Sequence, residues 1–500
     1  MRVAPTTRVR LARRHLERSD RARRALARHF GPSQLLVDER DCAGYRRDAS
    51  EAEGALPAAV VLARSGRDVE LALRAAGEAE LPLVPRGGGT GKTGGAVPTE
   101  GGIVLDLVGF GRILEIDRRE HLAVVEPGLI LNVFQAAVRA EGLFYAPDPN
   151  SRVACTLGGN VATNAGGPRA FKYGVTGRHV LGIEAFLMGG QRVFAGRRTA
   201  KGVTGYDVAS LLVGSEGTLA VFGQLTLRLL TPPESTLTLL VPFERMSHAA
   251  GAVQDIVALG LGPSCVELLD LRALSTLPAS NLPPELLGAA AGAQALLLIE
   301  VDGSEKDCAV RAERVVSTCE ARGATGSRVA SQAAERERLW ELRANMSATL
   351  RKSARHKLSE DIAVPRRALG LLLDRLAALS ERWAVRSVAY GHAGDGNLHV
   401  NFLWDEPEEA PRVQQAIREL FENTIALGGT LSGEHGIGVL KAPYLPLEQS
   451  EGLIALQRNL KQAFDPAGLL NPGKIFPRNP LEQPLGPALE QAARFEPGRS

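Results

Sequence analysis

Five hundred residues exceed what one hydrophobic core usually serves, so the length predicts two domains. With 44% hydrophobic and 23% charged residues the composition is that of a soluble globular chain, and a net charge of +3 is too small to argue for a nucleic-acid partner. Five scattered cysteines (Cys42, Cys155, Cys265, Cys308, Cys319) form no CxxC pair, which argues against a cysteine-held cluster or zinc and for reduced thiols in a cytosolic protein.

Residues 1–28 are arginine-rich, with Glu17 and Asp20 as their acids. They fit an organellar transit peptide or, preferably, a basic first helix with Leu11, Leu16, Ala22, Ala25 and Leu26 along one face. Residues 29–57 read as irregular, with 45–50 as a surface turn. Residues 68–79 read as a helix with Asp68 at or near its N-cap. The apolar run 81–84 reads as a short strand.

Next comes Pro85-Arg86-Gly87-Gly88-Gly89-Thr90-Gly91-Lys92-Thr93-Gly94-Gly95. So many glycines are expected to serve a ligand rather than packing, because bare N–H groups without Cβ atoms form a nest for an anion. A flexible surface loop is the bland alternative. The Walker pattern would need glycine at Arg86, so an ATP loop fails. Gly89-x-Gly91-x-x-Gly94 fits the dinucleotide fingerprint as a string, but the strand-like run 103–107 follows where a helix must open. What remains is a loop between two strands that holds a pyrophosphate.

Residues 113–116 and 122–125 read as strands, and 131–141 as an amphipathic helix ended by Gly142. A second small-residue segment runs Thr156-Leu157-Gly158-Gly159-Asn160-Val161-Ala162-Thr163-Asn164-Ala165-Gly166-Gly167. Its amides and hydroxyls suit close approach to a flat ring edge; a close-packed helix start is the plainer reading. A third segment, Val213-Gly214-Ser215-Glu216-Gly217-Thr218, leads into a strand over 218–229. Thr231-Pro232-Pro233 marks a boundary. Beyond it strands at 237–241, 265–269 and 296–301 alternate with helices at 245–259, 305–321 and 333–350. The longest apolar run, 286–299, is short of the roughly 20 residues a membrane span takes.

Two pieces of the second half carry chemistry. In Tyr390-Gly391-His392-Ala393-Gly394-Asp395-Gly396-Asn397-Leu398-His399-Val400-Asn401-Phe402, both ends read as strand around a tight turn that folds His392 toward His399. His399 and Asn401 share one face; Leu398, Val400 and Phe402 share the other. The second piece is Ser432-Gly433-Glu434-His435-Gly436. Two histidines and a carboxylate are the usual protein ligands of an open metal site. Adjacent Glu434 and His435 point different ways, so one can hold metal while the other serves as a base. Hydrogen-bonded core histidines are the bland reading.

Together the strings "PRGGGTG…GGAVP", "GGNVATNAGG", "KYG" and "TGYDVASLLVGSEGTLAV" resemble the FAD-linked oxidase family, of the vanillyl-alcohol oxidase or p-cresol methylhydroxylase fold. "GHAGDGNLH", "SGEHGIG" and "LLNPGKIF" match its 2-hydroxy-acid dehydrogenase branch, and the resemblance spans residues 30–476. It implies an α+β chain: an N-terminal segment (1–52), a p-cresol methylhydroxylase-type FAD-binding domain (53–232), an α+β cap with an antiparallel sheet flanked by helices (233–430), a segment returning to the FAD domain (431–477) and a tail (478–500).

The resemblance further implies that Pro85, Arg86, Gly87, Gly88, Gly89, Thr90 and Gly91 hold the FAD pyrophosphate. Asp148, Gly158, Gly159, Asn160, Thr163, Ala165, Gly166, Tyr173, Gly174, Glu216 and Gly217 would approach flavin and adenosine, with Asn471 near the flavin. The glycine loop has no histidine, so FAD is expected to be non-covalent. His392, His399 and Glu434 would hold a divalent metal, zinc by the family pattern, and His435 would be the base. Trp340-Glu341-Leu342-Arg343 makes Arg343 the carboxylate anchor. Ser347 stands where the family has threonine, and Lys357 fits a family lysine within one position.

The implied reaction oxidises a D-2-hydroxy acid, with D-lactate ahead of glycolate and D-2-hydroxyglutarate, to the 2-oxo acid. Electrons would pass to a separate acceptor: a quinone, a cytochrome, an electron-transfer flavoprotein or an iron–sulfur subunit. A homodimer and a cytoplasmic location, at most peripheral to the inner face of the membrane, complete the expectation. Two rivals stand beside it. The ether-lipid synthases perform a non-redox exchange, but carry a histidine-rich motif where this chain has Gly394-Asp395-Gly396-Asn397. An electron-relay subunit would be expected to lack the three metal ligands.

Overall fold

The computed structural model describes residues 5–199, 201–271 and 292–476. The expected tail, 478–500, lies outside them, as does the start of the apolar run at 286.

Short buried runs make the first sheet. Strands β1 (Leu35–Leu36), β2 (Ala59–Leu62), β3 (Leu83–Arg86) and β4 (Ile103–Asp106) lie in the order β1-β2-β4-β3. β2 and β3 both run parallel to β4, which needs a crossover. The Gly66–Ala79 helix supplies it and buries Val69, Ala72, Leu73 and Ala76. Its N-cap is Ser65, whose hydroxyl accepts from the Asp68 amide, so the expected Asp68 cap is corrected. Asp68 instead turns its carboxylate back to the Arg64 amide at 2.8 Å.

The Pro5–Leu26 helix lies on the Gly66–Ala79 helix through Ala22 and Leu26, both fully buried. The expected apolar face is shorter than predicted: Leu16 is 64% exposed, and Leu11 lies outside the described side chains. Residues 29–57, read as irregular, contain β1, a short helix at Glu39–Cys42 and a 3-10 turn at Ala43–Arg46.

Strands β5 (Ile113–Asp117), β6 (Leu122–Val125), β7 (Val180–Phe186), β8 (Arg192–Gly196) and β9 (Val221–Arg228) form an antiparallel sheet in the order β5-β6-β9-β7-β8. The Leu131–Ala140 helix packs into its core and ends at Gly142, whose φ is +72°.

The third sheet is antiparallel and has seven strands: β10 (Ser235–Phe243), β11 (Cys265–Asp270), β12 (Ala295–Gly303), β13 (Arg328–Ala330), β14 (His356–Ala363), β15 (Arg386–His392) and β16 (Asn397–Trp404). Their order is β13-β10-β12-β11-β15-β16-β14. Period-two alternation divides its residues between two faces. Val266, Leu268, Ile362, Ala389, Leu398, Val400 and Phe402 pack on helices Met246–Ala258, Glu305–Ala321, Leu369–Trp383 and Ala410–Ala426. The residues between them, Glu267, Asp361, Tyr390, His392, His399 and Asn401, take the other face. Part of that face is covered by the Ala333–Lys352 helix through Leu339, Met346 and Leu350.

After the last long helices the chain returns to the first sheet. The Leu83 amide donates to Leu469 O at 2.8 Å and the Asn471 amide to Leu83 O at 2.7 Å, so 469–471 lies alongside β3.

Candidate active site

The polar face of the seven-stranded sheet looks into a cavity of about 1740 Å³. The opposite wall is made by the glycine loop 85–93, by residues 148–169 and by Glu216 and Gly217. The cavity exceeds the roughly 300–1,000 Å³ of a small-molecule site, which leaves room for a dinucleotide and a substrate together.

The β15–β16 hairpin builds the centre. Ala393–Asp395 is a 3-10 turn closed by Gly396 at φ +74°, where a Cβ would stand 2.1 Å from Val364 O. The turn brings the His392 and His399 rings to a centroid distance of 5.3 Å, nearly perpendicular. Glu434 reaches them from the segment after β16: its Oε1 stands 3.3 Å from His392 Nε2 and 3.5 Å from His399 Nε2. Ligand atoms of these three residues lie within 4.8 Å of one another. Gly433 lets the segment in, since a Cβ there would come 2.2 Å from Asn397 Nδ2.

Each histidine faces a carboxylate on the neighbouring strand. Glu267 of β11 is in register with His392 and accepts its Nδ1 proton at 2.5 Å. Asp361 of β14 is in register with His399 and stands 3.8 Å from its Nδ1, a buried nitrogen with no hydrogen-bond partner. Asp361 also accepts from the backbone amides of Glu434 (2.8 Å) and His435 (2.9 Å) and from the Ser432 hydroxyl (3.0 Å). His435 stacks on His399 at 5.2 Å, with Nδ1 4.0 Å from Asp361 Oδ2 and Nε2 4.0 Å from Glu434 Oε1.

Arg343, on the Ala333–Lys352 helix, is buried; its Nε pairs with Glu267 and its guanidinium lies 4.8 Å from the Tyr390 ring centroid. One turn on, Ser347 accepts from Lys357 Nζ at 2.8 Å.

Charges are strongly coupled here. Burial opposes ionisation of Glu434 and Glu267, yet the adjacent His392 overrides it and holds both carboxyls down to about 2. Burial likewise opposes the His392 cation, but Glu267 and Glu434 raise it well above the ordinary histidine value. Burial and the neighbouring His435 push His399 down to about 3. Burial lowers His435 despite Asp361 and Glu434, which keeps it neutral and able to accept a proton at pH 7. Burial, with Lys92 and Arg351 nearby, lowers Lys357 to about 8.

The matched families fit these walls. Residues 57–196 match the FAD binding domain family, and residues 232–475 match the C-terminal domain family of FAD linked oxidases. The glycolate oxidase subunit GlcD of Bacillus subtilis (strain 168) is 38% identical over 437 residues, 87% of this chain and 92% of that one. The chain belongs to the FAD-linked oxidase family. A D-lactate dehydrogenase of Anaerostipes hadrus is 31% identical over 90% of this chain and 96% of its own. A p-cresol methylhydroxylase structure shares the fold at a TM-score of 0.76 and 16% identity, over 92% of this chain and 97% of that one. An alkyldihydroxyacetonephosphate synthase shares it at 0.73 and 19%, over 90% and 85%.

In this FAD-linked oxidase the cavity is lined by Pro85, Arg86, Gly87, Gly88, Gly89, Thr90, Gly91, Asp148, Gly158, Gly159, Asn160, Thr163, Ala165, Gly166, Glu216 and Gly217. Tyr173, Gly174 and Asn471 are not among the lining residues. The Tyr173 hydroxyl goes to Asp302 at 2.6 Å, and Asn471 Nδ2 ties Gly95 O to Glu216 O behind the wall. The glycine loop answers to packing more than expected. A Cβ on Gly87 would stand 2.3 Å from Thr156 Oγ1, and one on Gly88 2.0 Å from Ala154 O. Positive φ is needed at Gly89 (+65°) and Gly94 (+79°).

Sequence reasoning missed Glu267 and Asp361. The available signal was a lone acid inside an apolar strand, as in Cys265-Val266-Glu267-Leu268, or one just before Ile362-Ala363-Val364.

Proposed function

We propose that this enzyme oxidises a D-2-hydroxy acid to the 2-oxo acid, with D-lactate as the first candidate. What carries the reading is the meeting, in one cavity, of His392, His399, Glu434, His435 and Arg343 with the FAD-side glycine segments.

The residues suit the groups the reaction needs. Three donors, two imidazoles and a carboxylate, face one point, and Glu434 and Glu267 supply negative charge beside it. That donor set fits zinc, held by His392, His399 and Glu434. FAD would lie along 85–91 and 158–166, where buried Asn160 Nδ2 has no hydrogen-bond partner. When bound, FAD accepts the two electrons and the α-hydrogen, and the metal polarises the hydroxyl.

The chain's own residues do the rest. Arg343 receives the substrate carboxylate, with the Ser347 hydroxyl and the Lys357 ammonium beside it. Nδ1 of His435 faces Asp361, which leaves Nε2 to take the hydroxyl proton. The Ala333–Lys352 helix packs on the sheet through Leu339, Met346 and Leu350 and brings Arg343 and Ser347 to the cavity wall. No helix of the described residues is long and apolar enough to cross a membrane, and electrons leave through a separate acceptor.

Anaerobic mixing with D-lactate, L-lactate, glycolate and D-2-hydroxyglutarate tests this. Bleaching of the flavin band by a D-acid is expected. A flavin that none of them bleaches would sink the proposed substrate class. His435→Ala should keep FAD bound and lose flavin reduction; rapid reduction in that variant refutes the base.

A further inference from the structure

We propose that Glu267 is a positioning residue that holds the metal ligand His392 and the carboxylate anchor Arg343 in one fixed relation, so that metal affinity and substrate affinity are set together. The inference rests on the roles given to His392 and Arg343 above.

Glu267 is fully buried in the middle of β11, between Val266 and Leu268 of the apolar core. A carboxylate there is costly unless each oxygen is bonded. Both oxygens are. Oε1 accepts from His392 Nδ1 at 2.5 Å, and Oε2 accepts from Arg343 Nε. The two partners come from separate elements, β15 and the Ala333–Lys352 helix, so Glu267 is the shared contact between sheet and helix at this point. Because a carboxylate only accepts, Nδ1 of His392 keeps a proton toward Glu267, which aims Nε2 at Glu434, 3.3 Å away, as the nitrogen that would give up its proton to a metal. The bond to Arg343 uses Nε and leaves the terminal amino groups for an anion.

Neither neutral nor shorter side chains reproduce this. Glutamine offers one acceptor, and its NH2 would confront the second N–H. Aspartate keeps the charge but is shorter by one methylene.

The test uses the FAD-loaded protein, stripped of metal by a chelator and titrated with zinc, beside KM and kcat for the active D-acid with a dye acceptor. Glu267→Gln is expected to bind zinc 10–100-fold more weakly, to raise KM in parallel and to keep its full FAD content. Glu267→Asp is expected to lie between it and the wild type in both quantities. If the Gln variant fails to fold, the Asp variant decides alone, by the same joint shift. Wild-type zinc affinity and KM in the variants would overturn the proposal, as would either quantity moving without the other. A wild-type protein that binds no zinc would take down the metal centre itself, an outcome distinct from these.

Discussion

Lys357 is the residue whose chemistry is easiest to move. Its ammonium touches Ser347 Oγ, and burial, with Lys92 and Arg351 nearby, holds it at about 8, below the ordinary 10.5. A lysine with a lowered value is charged below that pH and neutral above it. An anionic substrate resting on it therefore binds more weakly as pH rises, with KM climbing several-fold between about pH 7.5 and 9.5. Lys357→Gln should show a raised KM that no longer rises through this window. Lys92→Met removes a like charge, so the limb should move to higher pH; a limb that stays put would separate Lys92 from Lys357. Gly88→Ala tests packing instead. Its Cβ would sit 2.0 Å from backbone Ala154 O, which cannot yield as a flexible side chain does. Overpacking of this kind costs about 1–3 kcal/mol, so a lower thermal midpoint and poorer FAD loading are expected by melting and absorbance ratio.

At the scale of elements, the β15–β16 hairpin was legible because everything that defines it is local. Alternation over 386–404 sorts His399 and Asn401 from Leu398, Val400 and Phe402, and Gly396 marks the turn. Glu267 and Asp361 were not legible, because their meaning lies in strand order. Residues 267 and 392 are 125 positions apart and meet only because β11 pairs with β15. The Asp68 cap failed for a smaller reason: Ser65 sits three residues earlier and caps by hydroxyl. Asp361 also anchors an element, since its carboxylate takes the amides of Glu434 and His435, the Ser432 hydroxyl and Asn397 Nδ2 at 2.7 Å. Asp361→Ala removes the three bonds that hold Ser432, Glu434 and His435 to β14. A displacement of about 1 Å in a catalytic group costs about 100-fold in rate. Flavin reduction in this variant should slow by that order or more while FAD stays bound; unchanged stopped-flow traces would show that the segment holds itself.

Across the whole molecule, the FAD-side segments and the seven-stranded sheet are joined by charge as well as by the cavity they share. Arg169 pairs with Glu300, which also accepts from Trp340 Nε1 at 3.1 Å. Lys172 pairs with Asp302, and the Tyr173 hydroxyl donates to the same carboxylate at 2.6 Å. Family resemblance places Tyr173 with the cofactor, whereas its position here makes it part of this clamp. The two roles separate cleanly in Tyr173→Phe. The phenyl ring keeps the T-shaped packing on Phe144, at 5.5 Å between centroids, and removes only the hydrogen bond. A bond to a charged acceptor contributes about 1.5–3 kcal/mol. The variant is therefore expected to melt a few degrees lower, with the visible flavin spectrum and FAD content of the wild type. Asp302→Ala should lower the midpoint further, because it takes the carboxylate from both the Lys172 cation and the Tyr173 hydroxyl and leaves Lys172 only the backbone carbonyl of residue 302. If Tyr173→Phe instead melts normally and loses FAD or shifts the flavin band, the tyrosine touches the cofactor and the clamp rests on Arg169 and Lys172 without it.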